Sequence, residues 1–139
     1  DPEMSRGLGD VYKRQVFEEV ESSQFKKDVK NFVRLEPVLE YTKKHYNTPI
    51  TLSEISQIAC FQEEYFCHYF KKNMGVTYFQ YLNEIRLSHI YRDLTSTDLP
   101  LKVLLEKHGF TNYKLFRKMF YEQFATTPGE YRKNAAVSD

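Results

Sequence analysis

A stretch that occurs twice within 139 residues sets the terms for what this chain can fold into. In its second copy, Leu101, Leu104, Leu105 and His108 form a short apolar segment. Gly109-Phe110-Thr111-Asn112 breaks it, and a helical period resumes on Phe116, Met119 and Phe120. The first copy lies 49 positions earlier up to the break, pairing Leu52 with Leu101, Ile55 with Leu104, Cys60 with Gly109 and Phe61 with Phe110. Beyond the break the offset is 50: Phe66 pairs with Phe116, Phe70 with Phe120, Gly75 with Ala125, Thr77 with Thr127 and Tyr81 with Tyr131. Each copy reads as helix, tight turn, helix, and the second turn is one residue longer. A period of this size marks two supersecondary units of one kind.

The rest of the chain is arranged around these units. Leu35, Val38, Leu39, Thr42 and Tyr46 fall on one helical face that ends near Asn47, ahead of Pro49. Thr51 followed by Glu54 reads as a capping box for a short helix over Leu52, Ile55 and Ala59, with Ser56 small where two helices cross. The next helix starts at about Gln62, buries Phe66, Tyr69 and Phe70, and stops at Gly75. Thr77 caps the longest helix, from about Tyr78 to Leu94, with Tyr81, Leu82, Ile85, His89 and Ile90 inward. At roughly 1.5 Å per residue it makes a rod of about 25 Å that holds the two units apart. Thr127 caps one more short helix with Pro128 at its first position.

These elements predict an all-α fold of about seven helices, two helix-turn-helix units of homeodomain-like form joined by a long central helix. Residues 1–15 carry no helical or strand period and read as a disordered or non-native leader. Residues 16–33 read as a linker or the remnant of an upstream domain, 34–134 as the double-unit domain, and 135–139 as a disordered tail.

Composition narrows the function. A chain that is 41% hydrophobic and 16% aromatic can pack a core, and its length is about one domain. Net charge is only +1, but from Leu101 to Asn134 seven Lys and Arg face three Glu, so a polyanion partner would meet the C-terminal third. Cys60 and Cys67 form neither a zinc pattern nor a disulfide framework, and no run is a membrane span or a signal peptide, which predicts a cytoplasmic protein. His45, His68, His89 and His108 share no spacing that makes a metal site. Cys67 and His68 are adjacent on a helix and point about 100° apart, so they are not expected to pair as nucleophile and base. No enzyme activity, metal or cofactor is expected.

The outward face of the second unit's second helix carries Tyr113, Lys114, Arg117, Lys118 and Tyr121. A cationic and aromatic face at i, i+3, i+4 spacing, presented by a helix-turn-helix, suits the DNA major groove. The order Phe70-Lys71-Lys72, Gly75, Tyr81-Leu82, Arg86-Leu87, Gly109-Phe110, Phe116, Phe120, Phe124, Thr127-Pro128, Tyr131-Arg132 resembles the AraC/XylS family of bacterial transcription regulators over about Leu35 to Lys133. The resemblance implies two DNA-reading units, with Glu63, Glu64, Cys67, His68 and Lys71 on the first recognition helix and Tyr113, Lys114, Arg117, Lys118 and Tyr121 on the second. It also implies sequence-specific binding of an operator or promoter in double-stranded DNA and association with the nucleoid when bound. Further implications are contact with RNA polymerase, often as an activator, and an effector sensed only through a separate domain.

Departures from the family pattern are Leu105, where a small residue equivalent to Ser56 is usual, Ala125 in place of a glycine, Ile90 at a usually small position, and the acidic pair Glu63-Glu64. Leu105 predicts that the second unit opens slightly or repacks. The alternative reading is a truncated helical protein-interaction module without strong DNA affinity.

Overall fold

The structure, a computed structural model, describes residues 23–138. The expected leader over 1–15, and the beginning of the expected 16–33 segment, lie outside the described residues. Seven helices follow in order: α1 (Ser23–His45), α2 (Leu52–Ile58), α3 (Glu63–Met74), α4 (Tyr78–Ser96), α5 (Leu101–Lys107), α6 (Tyr113–Phe124) and α7 (Pro128–Ser138). Among the described residues no helix is long and apolar enough to cross a membrane.

The repeat is reproduced element by element. α2 and α5 are both 7 residues long and begin 49 positions apart, while α3 and α6 are both 12 and begin 50 apart. The turns correspond as well. Cys60 (φ 59°) and Gly109 (φ 75°) are left-handed at matching positions, as are Gly75 (φ 82°) and Ala125 (φ 56°). The backbone closes both turns alike, with Phe61 N donating to Ser56 O at 3.0 Å and Phe110 N donating to Leu105 O at 2.9 Å. Each unit thus has one glycine where left-handed backbone is cheap and one non-glycine where it is not.

The caps behave as the side chains predict. Thr51, Thr77 and Thr127 each accept from the backbone N–H three residues on, at 3.1–3.2 Å, and Asn112 does the same for Leu115 at 3.0 Å. Glu54, expected to complete a capping box, accepts a hydrogen bond from the Tyr41 hydroxyl and so ties α2 to α1.

Two cores share one wall. Leu35, Val38, Ile55, Phe66, Phe70 and Tyr81 centre the first, and Leu87, Ile90, Leu104, Phe116 and Phe120 the second. The front half of α4 packs into the first core through Tyr78, Tyr81, Leu82 and Ile85, and its rear half into the second through Leu87, Ile90 and Leu94. The long helix is therefore a structural part of both units as well as the rod between them. Leu105 is 6% exposed, so the second unit buries this side chain at the edge of its core.

Each unit is also latched to the helix before it by an arginine. Arg86 donates from Nε to Tyr46 O (2.7 Å) and from Nη2 to Thr48 O (2.9 Å), holding the turn that follows α1. Arg132 donates from Nε to Leu94 O (2.8 Å) and from Nη1 to Leu99 O (2.6 Å), holding the end of α4 and the turn after it. Both take helix-end carbonyls that would otherwise lack donors.

Two boundaries differ from expectation. The segment up to residue 33, expected as a linker or the remnant of an upstream domain, is helical from Ser23 and continuous with the rest of α1, and Asn31 anchors it: its side chain donates to Asn73 Oδ1 at 3.1 Å and accepts from Tyr69 Oη at 2.8 Å. Pro37 sits inside α1 and deprives the Val33 carbonyl of its helical donor, and Val33 is 55% exposed, so water can serve that carbonyl. At the other end α7 runs to Ser138, through most of the expected 135–139 tail.

One buried group works against stability. Glu84 is 7% exposed, its Oε2 has no hydrogen-bond partner, and burial raises its carboxyl above the ordinary range. A raised acid means the folded chain binds more protons than the unfolded one. This contribution therefore favours the fold below the ordinary glutamate pKa and is lost as pH rises towards the folded value. Glu84→Gln is expected to stabilise the domain by ~1 kcal/mol at neutral pH and to flatten that decline, measured by urea unfolding at several pH values.

Candidate nucleic-acid interface

The helix expected as the first recognition helix is α3. Glu63 and Glu64 occupy its first turn and Lys71 and Lys72 its last, which suits the helix dipole at both ends. Phe66, Tyr69, Phe70 and Met74 are buried beneath it, which turns Glu64, Cys67, His68 and Lys71 outward, and all four are exposed. Cys67, His68 and Lys71 border a recess of about 630 Å³ together with Lys72, Thr77 and Phe79.

The second is α6, where Phe116 and Phe120 are buried and Tyr113, Lys114, Arg117, Lys118 and Tyr121 are exposed. Tyr121 is 61% exposed and Tyr113 51%, and on α3 Tyr65 is similarly exposed at 54%. The Arg117 guanidinium lies 5.9 Å from the Tyr113 ring, a loose cation–π contact, and Lys118 is 4.0 Å from Glu122 in an exposed i, i+4 pair. Neither contact holds its cation firmly, so Lys114, Arg117 and Lys118 remain available to a partner's anions.

The structure brings the ten residues into two separate sets, one per helix. Between the units lies a larger recess of about 1040 Å³, walled by Ile50, Phe79 and Leu82 from the first and by Leu101, Leu105 and Phe110 from the second. Lys102 and Tyr113 also border it. Phe79 and Lys102 were not among the residues singled out from sequence. Phe79 is 41% exposed and stands off the apolar stripe of Tyr78, Tyr81, Leu82 and Ile85, which is the signal that could have found it. Among the described residues no three His, Cys, Asp or Glu side chains gather as a metal would need.

Comparisons with known proteins bear on the family and the fold. A family model described as a helix-turn-helix domain matches residues 55–134. An uncharacterized HTH-type transcriptional regulator of Staphylococcus aureus (strain COL) is 28% identical over 99 residues, which is 71% of this chain and 13% of that protein. The chain thus spans about an eighth of that relative's length. Among solved structures, the C-terminal domain of the two-component response regulator yesN from Fusobacterium nucleatum is similar with a TM-score of 0.61 and 27% identity, covering 68% of this chain and 93% of that one. A transcriptional regulator described with AraC-type DNA-binding domain-containing proteins, from Chromobacterium violaceum, shares the fold with a TM-score of 0.64 at 20% identity, covering 74% of this chain and 92% of that one.

Proposed function

The chain belongs to the helix-turn-helix domain family, in the two-unit fold of AraC-type regulators, and on that premise we propose that it binds double-stranded DNA in a sequence-specific manner to regulate transcription. α3 and α6 enter successive major grooves on one face of the duplex, about 34 Å apart. The observation that carries this reading is the division of labour on α6: its apolar residues are spent in the core, and its outward face carries three exposed cations flanked by two exposed tyrosines against one exposed carboxylate, Glu122.

The two helices contribute differently. α6 offers Lys114, Arg117 and Lys118 to phosphates or to guanine O6 and N7, with Tyr113 and Tyr121 suited to phosphate or thymine methyl contact. α3 offers Glu64, which can accept from cytosine N4, beside Cys67, His68 and Lys71. The Glu63-Glu64 pair repels phosphate, so α3 adds selectivity and α6 most of the attraction. RNA polymerase is the partner through which a bound regulator of this kind acts, and a small-molecule effector acts through a separate sensory domain.

Selection from a randomised duplex pool tests the proposal. Two base clusters about one helical turn apart are expected, with inserted half-turns between them abolishing the gain from the second cluster. A single cluster, or none, contradicts the two-groove reading.

A further inference from the structure

The two units meet through a polar junction that neither the fold comparison nor the reading faces account for. Tyr46, in the turn after α1, belongs to the first unit; its hydroxyl lies 3.0 Å from His108 Nδ1. His108 follows α5 and belongs to the second unit, is 5% exposed, and its Nε2 lies 2.7 Å from Asp93 Oδ2 on α4. Lys107 Nζ reaches the same oxygen at 3.2 Å. One turn before Asp93, His89 stacks flat on the Tyr46 ring, with centroids 4.1 Å apart and planes 8° apart, and its own ring is 5.4 Å from that of His108. Tyr46 is a fixed post, since Arg86 binds its carbonyl.

We propose that the Tyr46–His108–Asp93 bridge is a positioning device holding the two recognition helices in one fixed relation, and that acid loosens it by charging His89. The mechanical part stands on the junction alone; its consequence for DNA rests on the function proposed above.

The electrostatics give the direction. Burial lowers the His89 pKa first of all, and His108 and Arg92 push it the same way, with Asp93 alone opposing them. Burial would raise the Asp93 carboxyl, but its hydrogen bonds from His108 and Lys107 outweigh this and hold it below the ordinary range. Among the described residues Asp93 is the carboxylate that acts on His89, and it is already shared between His108 and Lys107. A proton on His89 adds a cation facing Arg92 and His108, while Lys107 already pairs with Asp93 at 3.2 Å. The folded junction binds that proton less readily than the unfolded chain does, so its stability is lost as pH falls below the ordinary histidine value. The stacked rings then separate, and unit two is freed from Tyr46.

A distance measurement between the recognition helices tests this without DNA. Cys67 on α3 takes one spin label in a Cys60→Gly background, and Lys118→Cys on α6 takes the other; both sites are exposed. We expect a single narrow distribution at about pH 7.5 that broadens at about pH 5.5. Tyr46→Phe, which keeps the stack and removes the hydroxyl, broadens it at both values, and His89→Gln keeps it narrow at both, with helix content unchanged throughout. On a selected duplex near neutral pH, Tyr46→Phe lowers affinity for the two-cluster site about tenfold relative to a single cluster, because a loose second unit has a lower effective concentration. Distributions that ignore both pH and Tyr46→Phe overturn the proposal. Broadening in a protein that shows no duplex binding at low salt upholds the junction and overturns the proposed function instead.

Discussion

Alanine at Lys114, Arg117 and Lys118 together is expected to weaken duplex binding about 100-fold near 0.1 M salt, while moving the thermal transition very little. All three side chains are exposed on α6, and none lies in either core. The pair between Lys118 and Glu122 at 4.0 Å is worth at most about 0.5 kcal/mol at the surface, and the Arg117–Tyr113 contact at 5.9 Å is similarly slight. The fold therefore has little to lose from the change. DNA binding has much to lose, since each phosphate contact removed lowers the log–log salt slope by about 0.9 and three removed lower it by nearly 3. The same change on α3, at Lys71 and Lys72, should cost less, because Glu63 and Glu64 already oppose phosphate there. Anisotropy titrations of the triple variant across salt decide the point. Unchanged binding would take α6 out of the reading role and favour a surface that binds protein.

Gly109→Ala is expected to destabilise the domain by about 3 kcal/mol, against about 1 kcal/mol for Gly75→Ala. Both glycines are left-handed, with φ of 75° and 82°, so each alanine pays the same backbone term. Their surroundings differ. A Cβ on Gly75 meets nothing within 4 Å, but a Cβ on Gly109 would stand 2.8 Å from Asn47 O and 2.9 Å from Asn47 C, both backbone atoms of the other unit. That backbone is held by Arg86 through the carbonyls of Tyr46 and Thr48 on either side, so it cannot yield without breaking part-buried bonds to a charged group. Chemical denaturation of the two variants side by side gives the difference directly. Equal losses would mean that the units do not press on one another at this turn.

The repeat makes the unit architecture legible in the sequence itself, since the offsets of 49 and 50 between paired apolar residues are the offsets of the helices. Caps are legible because Thr51, Thr77 and Thr127 act on backbone three residues away, within reach of local pattern. The exposure of the outward residues on α3 and α6 follows from period alone, since burying Phe66 and Phe70, or Phe116 and Phe120, turns them out. What is not legible depends on contacts far apart in the chain. The early turns of α1 carry too many charges to show a clear stripe, and what docks them is Asn31 meeting Tyr69 and Asn73 some 38 and 42 residues on. Likewise His108 reads as one more interior position, because its bonds to Asp93 and Tyr46 span 15 and 62 residues and leave no periodic trace. The recess walled by Phe79 and Leu101 exists only where two units face each other.

The central claim is that this domain grips a DNA duplex through an exposed cationic helix. It is tested most directly by fluorescence anisotropy of a labelled random duplex titrated with the protein across a salt series. The account predicts binding that weakens steeply as salt rises, with a log–log slope of several units at about 0.9 per phosphate contacted. Absence of binding at about 50 mM salt, or binding indifferent to salt, would contradict it.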